Sequence, residues 1–252
     1  MSMQEKESPL KVPAVTAVFW MIKILATTLG ETGGDALSMS VELGYLVSTV
    51  IFFLIFALAV SVQIKAKQFN PVLYWTTIIA TTTVGTTLAD FTDRSLGIGY
   101  AGGSVLLLAL LLASLFSWYY SLGSVAIATI STPKAEAFYW ITIMFSQTLG
   151  TALGDWIADT DGVGYLYSAI IFSVALVCIA IAYYQSRISH TLLFWAAFIL
   201  TRPLGAVIGD LLDKPIAKGG LELSRYSASA VLLMLIVFLI FIFKQEAAEK
   251  PH

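Results

Sequence analysis

Four times along this chain a tryptophan is followed ten residues later by a glycine and fifteen residues later by an aspartate. The copies are Trp20–Gly30–Asp35, Trp75–Gly85–Asp90, Trp140–Gly150–Asp155 and Trp195–Gly205–Asp210, offset by 55, 65 and 55 residues. A unit that recurs at such spacing must pack against its own copies, and this limits the chain to a repeat architecture. Two small residues stand four apart in each unit: Gly30/Gly34, Gly85/Ala89, Gly150/Gly154 and Gly205/Gly209. On a helix this is a small-xxx-small face, against which a second helix can pack closely.

Residues eight and four before each aspartate share a helical face with it. They read Thr27/Glu31/Asp35, Thr82/Thr86/Asp90, Gln147/Thr151/Asp155 and Arg202/Ala206/Asp210, and Lys23 extends the first stripe by one turn. Packing through the glycines is expected to turn these polar residues toward one shared interior.

The chain belongs in a bilayer, because 58% of its 252 residues are hydrophobic, 12% are charged, and the mean hydropathy is +0.85. Each unit holds two apolar stretches of the length that crosses ~30 Å of hydrocarbon. The expected spans are 13–37, 43–64, 71–92, 98–121, 135–158, 163–185, 190–212 and 224–244. The fold class is therefore all-α: a polytopic membrane protein of eight transmembrane helices. Residues 1–12 would precede a single domain over 13–244, with repeats at about 13–67, 68–128, 133–187 and 188–244, and 245–252 would form a tail. The first helix of each pair carries the polar stripe. The second, such as LVSTVIFFLIFALAV, is almost uniformly apolar and suits a lipid-facing position. The N-terminal stretch MSMQEKESPLKVPAV shows no cleavage signal, so the first helix is expected to be retained. Cys178 lies in an apolar stretch and reads as core.

Between the helices of three pairs stands a Gly-Tyr turn, Gly44-Tyr45, Gly99-Tyr100 and Gly164-Tyr165, with the tyrosine expected at the membrane interface. In the fourth pair KPIAKGGLELSRY inserts six residues and moves the tyrosine to Tyr226; the longer loop reads as drift, or as a lid or docking element. Copies two and four share Asp-x-x-Asp and a base, Asp90/Asp93/Arg94 and Asp210/Asp213/Lys214, which indicates duplication of a four-helix half. Since each unit crosses twice, the repeats are parallel rather than inverted. The end with the termini carries eight bases against four at the aspartate end, which places both termini in the cytoplasm. Acids divide five to eleven the other way, so an electronegative outer mouth is expected.

The four Trp-to-Asp units and their paired helices resemble a group of bacterial integral membrane proteins built from four tandem copies of a repeat of unknown function, each with two membrane segments and a characteristic tryptophan. The resemblance runs from Trp20 to Tyr226 and implies a multi-pass protein of the bacterial inner membrane. It implies no activity, so function rests on the residues.

Carboxylates inside a bilayer usually face a cavity or a partner. Asp35, Asp90, Asp155, Asp210 and Glu31 are the candidate metal ligands, and Thr27, Thr82, Thr86, Gln147 and Thr151 would line the path beneath them. Lys23 and Arg202, the two bases deep in the spans, read as counter-ions, gating partners or binders of an anion. Five acids against these two bases favour a cation, and oxygen ligands without histidine or cysteine suit Mn²⁺, Mg²⁺ or Ca²⁺. The alternative for the aspartates is structural, with hydration or pairing to Arg94 and Lys214 one turn away. The tryptophans read as interface anchors or inward packing wedges.

The leading expectation is a secondary transporter of a small divalent cation, possible as a proton exchanger, in contact with the lipid bilayer. No resident cofactor and no nucleic-acid partner are expected, and a homo-oligomer is open through the small-residue faces. The alternatives are an organic-anion transporter using Lys23 and Arg202, an intramembrane enzyme built on Gly33-Gly34-Asp35, and a sensor or assembly subunit.

Overall fold

The computed structural model describes residues 11–125, 130, 132–159 and 163–248. Eight α-helices make up almost all of it: α1 (Ala17–Asp35), α2 (Gly44–Lys65), α3 (Pro71–Asp90), α4 (Gly99–Leu122), α5 (Pro133–Ala158), α6 (Gly164–Gln185), α7 (His190–Asp213) and α8 (Arg225–Ile242). Helices α1, α3 and α5 begin at side-chain caps. The Thr16 and Asn70 side chains accept from the backbone N–H of Phe19 and Leu73, and Thr132 accepts from Ala135, with Pro71 and Pro133 opening α3 and α5. The helices α2, α4 and α6 start at the Gly-Tyr turns, where Gly44, Gly99 and Gly164 have φ of 74°, 64° and 69°. Glycine takes that left-handed conformation without a Cβ penalty. In the first two copies a π-helical turn, Ala36–Ser40 and Phe91–Ser95, continues the helix past the aspartate.

The expected first span, 13–37, starts four residues late, at Ala17. The preceding segment instead pairs with the chain's other end: Ala14 N–H donates to the Glu246 carbonyl and Ala248 N–H to that of Val12, each at 2.9 Å. Proline at position 13 removes a backbone donor that a helix would need.

Helices α1, α3, α5 and α7 form a closed inner ring, each packed on the next and α7 on α1. The outer helices do not cover their own partners. Instead α2 lies on α3, α4 on α5, α6 on α7, and α8 returns to α1. Each repeat thus hands its second helix to the following repeat, and a head-to-tail contact of this kind closes into a ring when the rotation per copy divides a full turn. Among the described residues five helices, α2, α4, α6, α7 and α8, are long and apolar enough to cross a membrane. The outer four leave most of their surface apolar and exposed, as lipid-facing helices do. Cys178 belongs to this outer face and is exposed, not core. An apolar stretch in a membrane protein reports lipid contact as readily as burial.

The ring seams repeat one geometry. A Cβ on Gly30 would stand 2.2 Å from Thr82 Oγ1, and one on Gly205 2.2 Å from Thr27 Oγ1. The same notch in Gly85 receives Gln147 and that in Gly150 receives Arg202. One turn on, Gly34 meets Thr86, Gly154 meets Ala206 and Gly209 meets Glu31. The small residues of each copy therefore seat the polar stripe of the next.

Candidate functional site

The interior is layered along the ring axis. At the end bearing the termini, each tryptophan is preceded by another aromatic, giving Phe19-Trp20, Tyr74-Trp75, Tyr139-Trp140 and Phe194-Trp195. These rings meet across successive seams, with Phe19 to Trp75 at 5.4 Å, Tyr74 to Trp140 at 5.8 Å and Tyr139 to Trp195 at 6.4 Å between centroids. Tyr74 and Tyr139 hydroxyls bond at 3.0 Å. Trp75 and Trp140 are fully buried, so they act as inward wedges rather than interface anchors. The aromatic before each tryptophan was readable as a fourfold recurrence.

Above this plug lies Lys23, fully buried, with its ammonium 4.2 Å over the Phe198 ring and without a hydrogen-bond acceptor. It does not meet the acids expected as its counter-ions. Arg202 does. Passing over Gly150, its guanidinium donates to Glu31 Oε2 at 3.1 Å on α1 and to Thr86 Oγ1 at 2.6 Å on α3, the helix opposite α7 in the ring. A buried side chain that spans the ring this way closes the axis. Thr27 and Thr82 donate to the Thr201 and Ala26 carbonyls across the seams, so their hydroxyls bind helices together. Thr151 donates to the Gln147 carbonyl of its own helix, and both amide atoms of Gln147 lack a partner.

All four aspartates are buried at the next level. Two bases bridge them. Arg94 lies 2.9 Å from Asp90 and 3.1 Å from Asp155, while Lys214 lies 2.5 Å from Asp35 and 3.0 Å from Asp210. The i,i+4 half of each bridge was readable in the sequence; the half that reaches the neighbouring copy depends on the ring and was not. The bridges also revise the charge balance. Five acids (the four aspartates and Glu31) against four bases (Lys23, Arg202, Arg94 and Lys214) leave one net negative charge, where two bases would leave three.

The two halves of this level differ. Glu31, Asp35 and Asp210 each present an oxygen within 4.8 Å of the others. At the related place Asp90 and Asp155 have Thr151 in the position of Glu31. Asp35 Oδ1 has no hydrogen-bond donor.

A cavity of about 600 Å³ opens above, lined by Tyr45, Tyr100, Tyr165, Asp155, Asp210 and Lys214 among others. Arg94 donates to the Tyr45 hydroxyl at 3.2 Å, and the Tyr100 hydroxyl donates to Asp159. Tyr45 and Tyr100 thus each meet the residue four past the aspartate of the following copy. In the closing seam that residue is Met39, which cannot replace Arg94 or Asp159 as a charged partner. Arg225 fills the place instead, binding Asp213 at 2.7 Å and Ser40 at 3.2 Å, and Tyr226 is exposed. The inserted loop folds back on α7, with Leu221 and Leu223 N–H donating to Leu211 and Leu212 carbonyls. Its Pro215 and Lys218 line the cavity, so the insertion forms one wall of the mouth. Among the described residues the lining carries four bases, Arg94, Lys214, Lys218 and Arg225, against three acids, Asp155, Asp159 and Asp210. Beyond the end of α3, burial pushes the Asp93 carboxyl up to about 7 against the opposing pull of Arg94.

The Repeat of Unknown Function (DUF347) matches the chain four times, at residues 18–69, 73–124, 138–189 and 193–247. The chain belongs to this family. The DUF347 matches start 55, 65 and 55 residues apart, the spacing of the tryptophans, and each covers one inner and one outer helix. No curated protein and no solved structure matches the chain.

Proposed function

We propose that this DUF347 protein is a secondary transporter for a small, hard cation, Mn²⁺ or Mg²⁺ in chemical class. In this reading all eight helices cross the bacterial inner membrane with both termini cytoplasmic. Glu31, Asp35 and Asp210 bind the ion; Asp90 and Asp155 hold the other half of the ring closed with Arg94.

The observation that carries the proposal is the convergence of three buried carboxylates. Oxygens around Ca²⁺ stand at most about 4.8 Å apart and those around Mg²⁺ about 4.2 Å, given ligand distances of roughly 2.4 and 2.1 Å. The triad's oxygens, within 4.8 Å of one another, meet the Ca²⁺ limit and would close in by up to about 0.6 Å around Mg²⁺. The polar cavity reaches the carboxylates from one end, and the Arg202 brace and the aromatic plug close the other. Access from one side at a time is what alternating access needs.

Thermal stability of the detergent-purified protein tests the site, since a ligand that binds only the folded state raises the melting temperature. Mn²⁺ or Mg²⁺ should stabilise the wild type, and Glu31→Gln combined with Asp210→Asn should abolish the response. A response unchanged in that variant overturns the assignment. Uptake of the same ion by proteoliposomes then tests transport.

One observation favours a second reading, transport of a small organic anion: the Lys23 ammonium and the Gln147 amide are buried without partners. Stabilisation by a carboxylate compound, lost in Lys23→Met, would select it.

A further inference from the structure

The geometry points to Lys214 as a tethered cation that competes with the transported ion for the same carboxylates and is displaced into the mouth when the ion binds. This rests on the reading of Glu31, Asp35 and Asp210 as the ion site.

The ammonium stands 2.5 Å from Asp35 and 3.0 Å from Asp210, two of the three carboxylates. A metal ion held by the same oxygens would occupy nearly the same point, so the two cannot be bound together. Charge gives the same answer. Three carboxylates with Arg202 and Lys214 sum to −1, because Arg225, 3.9 Å from Asp35, is balanced by Asp213 at 2.7 Å. With a divalent ion in place of Lys214 the sum is zero, and with both present it is +1. Burial penalises net charge, so exchange is the favoured outcome.

Lys214 is also placed to leave. It is the C-cap of α7, its backbone is fixed by Glu222 N–H donating to its carbonyl, and its side chain lines the cavity. Tyr165 and the Asp159 carboxylate line that cavity too and offer the displaced ammonium polar contacts. Lysine is a point charge on a flexible four-carbon stem, suited to swinging.

The pseudo-symmetric half supplies the contrast. There Arg94 joins Asp90 and Asp155 at 2.9 and 3.1 Å, and among the described residues no third carboxylate converges with them. A guanidinium holds two carboxylates through a rigid fork and is harder to displace. Duplication has left one half latched and the other exchangeable.

Two measurements test this on the full chain in detergent. The first is equilibrium binding of Mn²⁺ to wild type, Lys214→Met and Lys214→Arg. Removing the competitor should tighten binding by about tenfold or more, and the arginine should weaken it by a similar factor. The second is trace labelling with acetic anhydride read by mass spectrometry: Mn²⁺ should raise acetylation of Lys214, while Lys218 should keep its rate. A purely structural lysine would not respond in this way. If wild type binds Mn²⁺ through the triad but Lys214→Met binds no tighter and labelling does not change, the inference is overturned and the site stands. Should Lys214→Met fail to fold, unaltered affinity in Lys214→Arg together with unchanged labelling is equally decisive. Mn²⁺ binding that survives Glu31→Gln with Asp210→Asn, or no binding in any form of the protein, overturns the site and the inference with it.

Discussion

Arg202 and Glu31 are fully and almost fully buried, and each is the other's charge partner at 3.1 Å. Removing one partner of such a pair strands the other charge, at a cost of about 3–5 kcal/mol, whereas removing both is far milder. Arg202→Met should therefore lower the melting temperature in detergent sharply, and Arg202→Met with Glu31→Gln should recover most of the loss. Equal losses in the single and double variants would show that Arg202 acts by packing alone. Asp93 carries a second prediction. Its folded carboxyl titrates near 7 against an ordinary value of 3.8, so the stability it supports is full below about pH 4 and is lost as pH rises through 7. Asp93→Asn should accordingly be neutral in acid and stabilising at about pH 8; a constant difference across that range would contradict the burial argument. The polar stripe itself was legible, because a fixed spacing from the aspartate defines a helical face. The partners were not. A face does not say how far a side chain reaches, so Arg202 bracing α3 and Lys23 lying over Phe198 required the ring.

Among the helices, the seams depend on glycines that differ in what lies opposite them. Gly205→Ala puts a methyl carbon 2.2 Å from Thr27 Oγ1 and 2.9 Å from the Thr27 backbone, whereas Gly33→Ala meets nothing within 4 Å. Overpacking of this kind costs about 1–3 kcal/mol, and an unopposed glycine-to-alanine change inside a helix gains up to about 1 kcal/mol. Thermal unfolding of the two variants should thus shift in opposite directions; a stabilised Gly205→Ala would mean that α1 and α7 are not as close as described. The small-xxx-small spacing marked these seams in the sequence, and the polar stripe marked α1, α3, α5 and α7 as inner helices. The destination of the outer helices left no such mark. A helix like α2, apolar on every side, carries no face that names its neighbour, so its packing on α3 rather than on α1 emerges only when four copies close. The π-helical turns were equally hidden, since no residue type distinguishes Ala36–Ser40 from an ordinary last turn.

At the scale of the molecule, ring closure makes the chain two interlocked halves. The first half, α1 to α4, supplies α4 to cover α5; the second, α5 to α8, supplies α8 to cover α1. The inner seams α3 with α5 and α7 with α1 complete two equivalent interfaces, and the junction between α4 and α5 tethers the halves and seats Ile130 in the core. A chain cut between residues 125 and 132 and co-expressed as two pieces should therefore assemble, with a tag on either piece recovering both in equal amounts. Duplication leaves open a competing product, a pair of identical first halves, in which a second α4 would cover α1. Side chains decide against it. Arg202 lies in the second half and Glu31, Thr86 and Thr82 in the first, so only the mixed pair neutralises Glu31 across the ring. Lys214 and Asp35 are divided in the same way, as are Asp155 and Arg94. In a pair of first halves Arg94 would take the place of Lys214 at Asp35, but two copies of Glu31 would be buried without Arg202, an unpaired charge that opposes assembly. Differently tagged first halves should hence fail to recover each other while each recovers the second half. Equal recovery of like and unlike halves would show that apolar packing, rather than these cross-ring ion pairs, selects the partner.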